Sequence, residues 1–328
     1  MYRIGRRTFL GATVATGAGA VAATAIKAEG KRLTGKSILV TGCSSGFGRL
    51  GAIHYAREGA TVIASMRNLQ GGARAEARAL AAEAKAAGLA LHIVEIDVMR
   101  GDQVAAGVAE AERIAGGALD AVVNNAGIAI GGPVELQDME AAQMMFSTNV
   151  LGPLRVSRAA LPGMRARRSG VIFNVTSQLG RVIAPNYGLY SSTKFALEAQ
   201  SEQLAYELAM HGVEVTIIQP GGYPTDIWKK SAALTDVLLK RTEADRAKAY
   251  EALVATARRG DPGLSTDPMD VPRAIADILA LPPGKRPLRR PVHPTYRPQE
   301  AINSVSAEAQ RKMLGTSPFG PWVEAVLD

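Results

Sequence analysis

Short apolar runs of strand character recur at Ser37–Thr41, Thr61–Ser65, Leu91–Ile96, Ala121–Asn124, Val171–Thr176 and Val213–Gln219, and helical stretches fill the intervals between them. Strands spaced by helices favour parallel pairing, because each crossover needs a dozen or more residues and buries both faces of the sheet. A proline-bounded run at Leu288–His293 supplies a seventh strand. The chain is therefore expected to be α/β, a doubly wound parallel sheet of about seven strands with helices on both faces. At 328 residues, 47% of them hydrophobic, it can bury one large core. The alanine-rich stretch Ala73–Ala87 and Asp270–Leu281 both read as helices. Residues 222–265 break the alternation and carry a helical pattern over Leu234–Arg258.

Composition removes several function classes. A lone cysteine, Cys43, excludes an internal disulfide and any multi-cysteine metal site. The histidines, His54, His92, His211 and His293, are scattered without helical pairing, so no metal is expected. The net charge of +8 comes from separate groups such as Arg165–Arg168, Lys229–Lys230 and Lys285–Arg290, with no aromatic interleaving. That pattern predicts solvated faces rather than a nucleic-acid groove. The N-terminus reads as an address. Arg6-Arg7-Thr8-Phe9-Leu10 precedes the uncharged, weakly apolar stretch Gly11–Ile26, with Ala23-Thr-Ala25 offering a cleavage site. Residues 1–28 resemble a twin-arginine export signal, which implies a periplasmic or otherwise exported protein. The stretch is short and poorly hydrophobic for a stable membrane span.

Two clusters carry chemistry. The run Gly42-Cys43-Ser44-Ser45-Gly46-Phe47-Gly48 joins the first strand to a helix, so its glycines allow a tight turn and close backbone approach to a pyrophosphate at the helix N-terminus. The second is Tyr190-Ser-Ser-Thr-Lys194, with Ser177 thirteen positions upstream. Residues four apart share a helix face, so Lys194 can lie beneath Tyr190 and stabilise its phenolate. A phenol, an ammonium and a hydroxyl then meet one substrate oxygen.

These residues resemble the short-chain dehydrogenase/reductase family over roughly residues 33–295. Its cofactor turn is matched by Thr41–Gly48, its N-N-A-G by Asn124–Gly127, and its Y-x-x-x-K by Tyr190–Lys194. Its helical asparagine is matched by Asn149 and its strand-end serine by Ser177, with Pro220-Gly221 and Thr225 following in order. The resemblance implies a Rossmann-type dehydrogenase domain over 33–295, an N-terminal extension over 1–28 and a C-terminal extension over 296–328. It makes 222–265 a substrate lid. It implies Tyr190 as general acid/base, with Lys194 lowering the phenol's pKa and holding the nicotinamide ribose. Ser177 would bind the substrate oxygen and Asn149 would support a water beside Lys194. Cofactor contacts would come from the glycine turn, from Asp97 and Val98 at the adenine, and from Asn125, Ala126 and Gly127. Pro220 and Gly221 would shape the approach and Thr225 would bind the carboxamide.

The second strand ends in Met66-Arg67 instead of the acidic residue that binds both ribose hydroxyls of NAD. A guanidinium there suits a 2′-phosphate, so NADP is expected over NAD. Gln178, Leu179, Tyr187, Tyr223 and Trp228 flank the catalytic positions and favour a hydrophobic alcohol or ketone. The expected activity interconverts a secondary alcohol and a ketone or aldehyde. The alternative is a catalytically silent dinucleotide-binding sensor or interaction protein, against which stands the intact set of Ser177, Tyr190 and Lys194. The resemblance also implies a homodimer or homotetramer built on the helices around 136–164 and 189–211.

Overall fold

The computed structural model describes residues 31–69, 71, 74–259 and 263–327. The expected export signal, residues 1–28, lies outside the described residues, as does Ala73. Seven strands, β1 (Ser37–Val40), β2 (Thr61–Met66), β3 (Leu91–Glu95), β4 (Ala121–Asn124), β5 (Gly170–Val175), β6 (Val213–Pro220) and β7 (Arg289–Val292), form one sheet in the order β3-β2-β1-β4-β5-β6-β7. Every adjacent pair is parallel. The helices are α1 (Gly46–Arg57), α2 (Ala75–Ala86), α3 (Gly101–Ala115), α4 (Met139–Phe146), α5 (Gly152–Arg167) and α6 (Tyr190–Ala209). They continue with α7 (Ile227–Leu239), α8 (Ala244–Ala249), α9 (Glu251–Ala257), α10 (Asp270–Ala280), α11 (Gln299–Leu314) and α12 (Gly320–Val326). None among the described residues is long and apolar enough to cross a membrane.

Period-two alternation within the strands builds a core on each face. Ile38, Val40, Val62 and Ala64 pack with Tyr55 of α1 and Ile275 of α10. Leu39 and Ile63 of the same strands point the other way, to Val104 of α3, Val156 of α5 and Leu208 of α6. All four residues of β1 and all six of β5 are buried, as expected of central strands covered on both sides.

Two segments depart from the sequence reading. The helical pattern of Leu234–Arg258 is three helices, beginning earlier, at Ile227. Thr242 Oγ1 donates back to the Leu238 carbonyl at 3.1 Å, and Arg241 is drawn into ion pairs with Asp138 and Glu140, which ends α7. The C-terminal segment, in which the sequence reveals no chemistry, is wired into the fold. Val323 and Leu327 sit in the α6-side core, and Asn303 Nδ2 donates to Gln219 Oε1 of β6 at 2.8 Å.

A buried ion-pair network joins these parts. Arg289 of β7 is 9% exposed and donates through Nε to Glu198 at 3.0 Å and through a terminal nitrogen to Glu202, both on α6. Glu202 also accepts from Gln310 of α11 at 2.6 Å. Replacing Arg289 with Met should lower the unfolding free energy by about 3–5 kcal/mol, because two buried carboxylates lose their counter-charge. Chemical denaturation of the variant against wild type measures it; a change below about 1 kcal/mol would contradict the assignment.

Candidate active site

The strand order turns back between β1 and β4, and in a doubly wound sheet the crevice for a ligand opens there, beyond the strand C-termini. The glycine turn occupies that point. Gly42 has φ +75°, and a Cβ there would lie 2.9 Å from the Ala126 Cα. At Gly48 a Cβ would fall 2.4 Å from Asn125 Nδ2 and 2.5 Å from the Gly42 carbonyl oxygen, so no side chain fits. Asn125 braces the turn by donating Nδ2 to the Thr41 carbonyl at 2.8 Å, and Thr41 Oγ1 accepts from the amides of Asn125 and Ala126 at 3.0 Å. No side chain caps α1 and no acid stands in its first turn, so its amides are left for an anion. Cys43 points inward, donating to the Val40 carbonyl, and burial pushes its thiol up to about 12. It packs and does not react. The turn therefore fits a dinucleotide pyrophosphate, by close approach and by charge.

The expected acid/base group comes from α6. Tyr190 is the first residue of that helix, and Lys194, one turn on, is 5% exposed with Nζ 5.5 Å from the phenol ring centroid. Lys194 Nζ donates to the Val175 carbonyl at the end of β5, at 3.0 Å. Ser177 lies two residues beyond β5; its hydroxyl accepts from the Leu179 amide at 3.1 Å and hydrogen-bonds the Tyr190 phenol. Asn149 sits in a π-helical turn, Ser147–Leu151, between α4 and α5. It is fully buried, with Oδ1 accepting from the Ile128 amide at 2.9 Å and Nδ2 donating to Thr193 Oγ1 at 3.0 Å. A Cβ on Gly127 would lie 3.3 Å from Asn149 Oδ1 and 3.8 Å from Lys194 Nζ, so all three converge.

Electrostatics here differ from the sequence expectation. Burial pushes the Tyr190 phenol up to about 12, with the Ser177 hydrogen bond pulling weakly the other way. Lys194 is itself held down to about 8 by burial, partly offset by the Glu198 carboxylate one turn further along α6. The phenol is not brought toward neutrality in the protein alone, because burial is the largest influence on it. Burial thus keeps the phenol protonated at neutral pH.

A cleft of about 570 Å³ gathers almost every residue singled out from the sequence, from Ser44, Ser45 and Phe47 to Thr225. Gly48 and Asn149 stand behind its wall. Arg67 is exposed at its edge, near Asp97 and Val98, and Asp97 Oδ1 accepts from the Met99 amide at 3.0 Å. Pro220 ends β6, and the Gly221 amide bonds the Val292 carbonyl at 2.9 Å. Gln178 and Leu179 form the turn after Ser177, and Tyr187 meets Trp228 edge-on, with ring centroids 6.1 Å apart. Tyr223 is 2% exposed; its hydroxyl donates to Asp270 at 3.2 Å and its ring packs on Phe47, so it shapes the wall with its polar end committed elsewhere. Sequence reasoning missed Arg74, Lys230, Leu264, His293 and Tyr296, which also line the cleft. In the sequence Arg74 reads only as a charge in the alanine-rich helix and Lys230 only as half of a basic pair, and the others arrive through tertiary packing.

Comparison with known proteins agrees with this geometry. The short chain dehydrogenase family matches residues 36–235. The chain is 30% identical to retinol dehydrogenase 8 of Bos taurus over 275 residues, 82% of this chain and 85% of that protein. It is 34% identical to 17-beta-hydroxysteroid dehydrogenase type 1 of Mus musculus over 213 residues, 63% of this chain and 60% of that one. A short-chain dehydrogenase structure from Streptomyces avermitilis superposes with a TM-score of 0.67 at 32% identity, covering 85% of this chain and 97% of that chain. With its parallel sheet, its glycine turn and its Ser177, Tyr190 and Lys194 gathered at one cleft, the chain belongs to the short-chain dehydrogenase/reductase family of oxidoreductases.

Proposed function

We propose that the protein is an NADP(H)-dependent oxidoreductase interconverting a hydrophobic secondary alcohol with its ketone, or an aldehyde with its alcohol. The observation that carries this reading is the meeting of Ser177, Tyr190 and Lys194 beside the glycine turn, at the floor of a largely apolar cleft. A bound nicotinamide would supply or accept the hydride. In reduction, the Ser177 hydroxyl holds the carbonyl oxygen while Tyr190 gives it the phenol proton; oxidation runs the same transfer in reverse. Lys194 keeps a positive charge within reach of the developing phenolate, which is where it lowers the cost of losing that proton. Its hydrogen bond to Val175 fixes that charge in place. Asn149 holds the backbone at Ile128 from both sides, accepting from its amide and donating to its carbonyl, and on family resemblance supports a water beside Lys194.

The cofactor choice rests on charge. Arg67 stands at the end of β2, where an acid would favour NAD, and a guanidinium gains more from a phosphate dianion than from a hydroxyl. Substrate class rests on the cleft's aromatic wall, Tyr187 against Trp228, and on the hydrophobic alcohols named for the relatives, retinol and hydroxysteroids. We also propose an exported protein, on the Arg6-Arg7 motif, and assembly into dimers or tetramers through α4, α5 and α6.

Two experiments test these readings. Turnover of hydrophobic ketones and aldehydes should be at least tenfold more efficient with NADPH than with NADH, and Tyr190→Phe should lower kcat by about 10²–10⁴-fold at unchanged nucleotide affinity. Equal rates for wild type and variant would remove Tyr190 from the chemistry. A reporter fused after Ala28 should leave the cytoplasm, and an Arg6→Lys, Arg7→Lys double variant should retain it there. A wild-type fusion that stays inside would contradict the export reading.

A further inference from the structure

We propose that Glu198 of α6 is a positioning residue for the reaction, its carboxylate holding the strand end that leads to Ser177 in register with the helix that carries Tyr190 and Lys194. The proposal rests on the catalytic reading of those three residues and adds to it a residue behind the cleft wall. Tyr190, Lys194 and Glu198 follow at intervals of four and so share one face of α6. Lys194 Nζ donates to the Val175 carbonyl at 3.0 Å, and the next residue, Thr176, donates Oγ1 to Glu198 Oε1 at 2.7 Å. The helix therefore grips two consecutive residues of the chain. Ser177 is the one that follows.

The turn after Ser177 is seated on the same stretch of α6. A Cβ built on Gly180 would lie 3.0 Å from Glu198 Cγ and 3.1 Å from the Lys194 carbonyl oxygen, so the turn Gln178–Gly180 has little room to shift. Glu198 Oε1 also accepts from Gln219 Nε2 at 3.0 Å, and Gln219 stands next to Pro220, the last residue of β6. One buried carboxylate thus joins the ends of β5 and β6, which open into the cleft, to the helix that carries the phenol. It is itself held from β7, where Arg289 Nε donates to its other oxygen at 3.0 Å, while Asn303 of α11 fixes Gln219 at 2.8 Å. The Thr176 hydroxyl has one proton and a second acceptor, the Ile218 carbonyl at 3.0 Å; the shorter, charged bond to Glu198 is the stronger. Ser177 and Tyr190 must reach one substrate oxygen together, and a displacement of about 1 Å can cost up to about 10²-fold in rate.

Reduction of aryl ketones by NADPH, with kcat counted per folded molecule from urea unfolding and NADPH affinity read by fluorescence titration, tests this. Thr176→Val keeps the volume and removes only the hydroxyl that Glu198 holds. It should lower kcat about tenfold while KM and NADPH affinity change less than about twofold. Thr176→Ser restores the hydroxyl and should return kcat to within about threefold of wild type. Glu198→Gln should lower kcat by about tenfold or more, and adding Thr176→Val to it should cost less than about twofold further, because both break one link. An unchanged kcat in Thr176→Val would overturn the assignment. So would a loss that serine does not rescue, a loss matched in NADPH affinity, or full additivity of the two substitutions. If wild type reduces no ketone with NADPH, the catalytic reading falls and takes this one with it. That failure shows in the unsubstituted protein alone.

Discussion

The structure depends most on a line of buried charge along one face of α6. Lys194, Glu198 and Glu202 follow at intervals of four, and each is answered from the sheet or the tail. Lys194 donates to the end of β5, Glu198 accepts from Thr176 Oγ1 at 2.7 Å and Gln219 Nε2 at 3.0 Å, and Arg289 of β7 holds both carboxylates. Charges this deep cost several kcal/mol each to desolvate and are tolerable only when paired and hydrogen-bonded. The pairing sets the height and rotation of α6 on the sheet. It thereby sets where Tyr190 and Lys194 meet Ser177.

The same burial determines how the site can work. Burial pushes the Tyr190 phenol up, so the group rests as an acid. Lys194, held down to about 8 by its own burial, is sensitive to what charge stands near it. Glu198 one turn away and the substrate oxygen at the other end therefore act on the same proton. Helix α7 is tied down at both ends, touching the glycine turn through Lys230 at one while the Gly131 amide donates to Thr235 near the other at 3.1 Å.

Much of this was legible in the residues. Strand runs with helical intervals predict the sheet, and the glycine spacing, the Tyr190–Lys194 step and Ser177 predict what gathers at its crevice. The reason is that backbone periodicity and close approach are local properties, written in adjacent positions. Longer-range items were not legible. Nothing near Arg289 signals that β7 carries the counter-charge for two glutamates 87 and 91 positions away. The tail's polar residues, Gln299, Asn303 and Gln310, look solvated until the fold places them against β6 and α6. The direction of the Tyr190 shift also escaped, because sequence shows a neighbouring charge but not how much water burial removes.

The central claim is that burial, not the neighbouring ammonium, governs the phenol in the protein without nucleotide. Tyrosinate absorbance, titrated for wild type and for Tyr190→Phe and subtracted, isolates that one group. With its phenol pushed up to about 12, Tyr190 should contribute no ionisation signal through pH ~10, where an ordinary phenol is half ionised. A Tyr190-specific phenolate with its midpoint at or below that pH would show that Lys194 dominates, and would contradict the account.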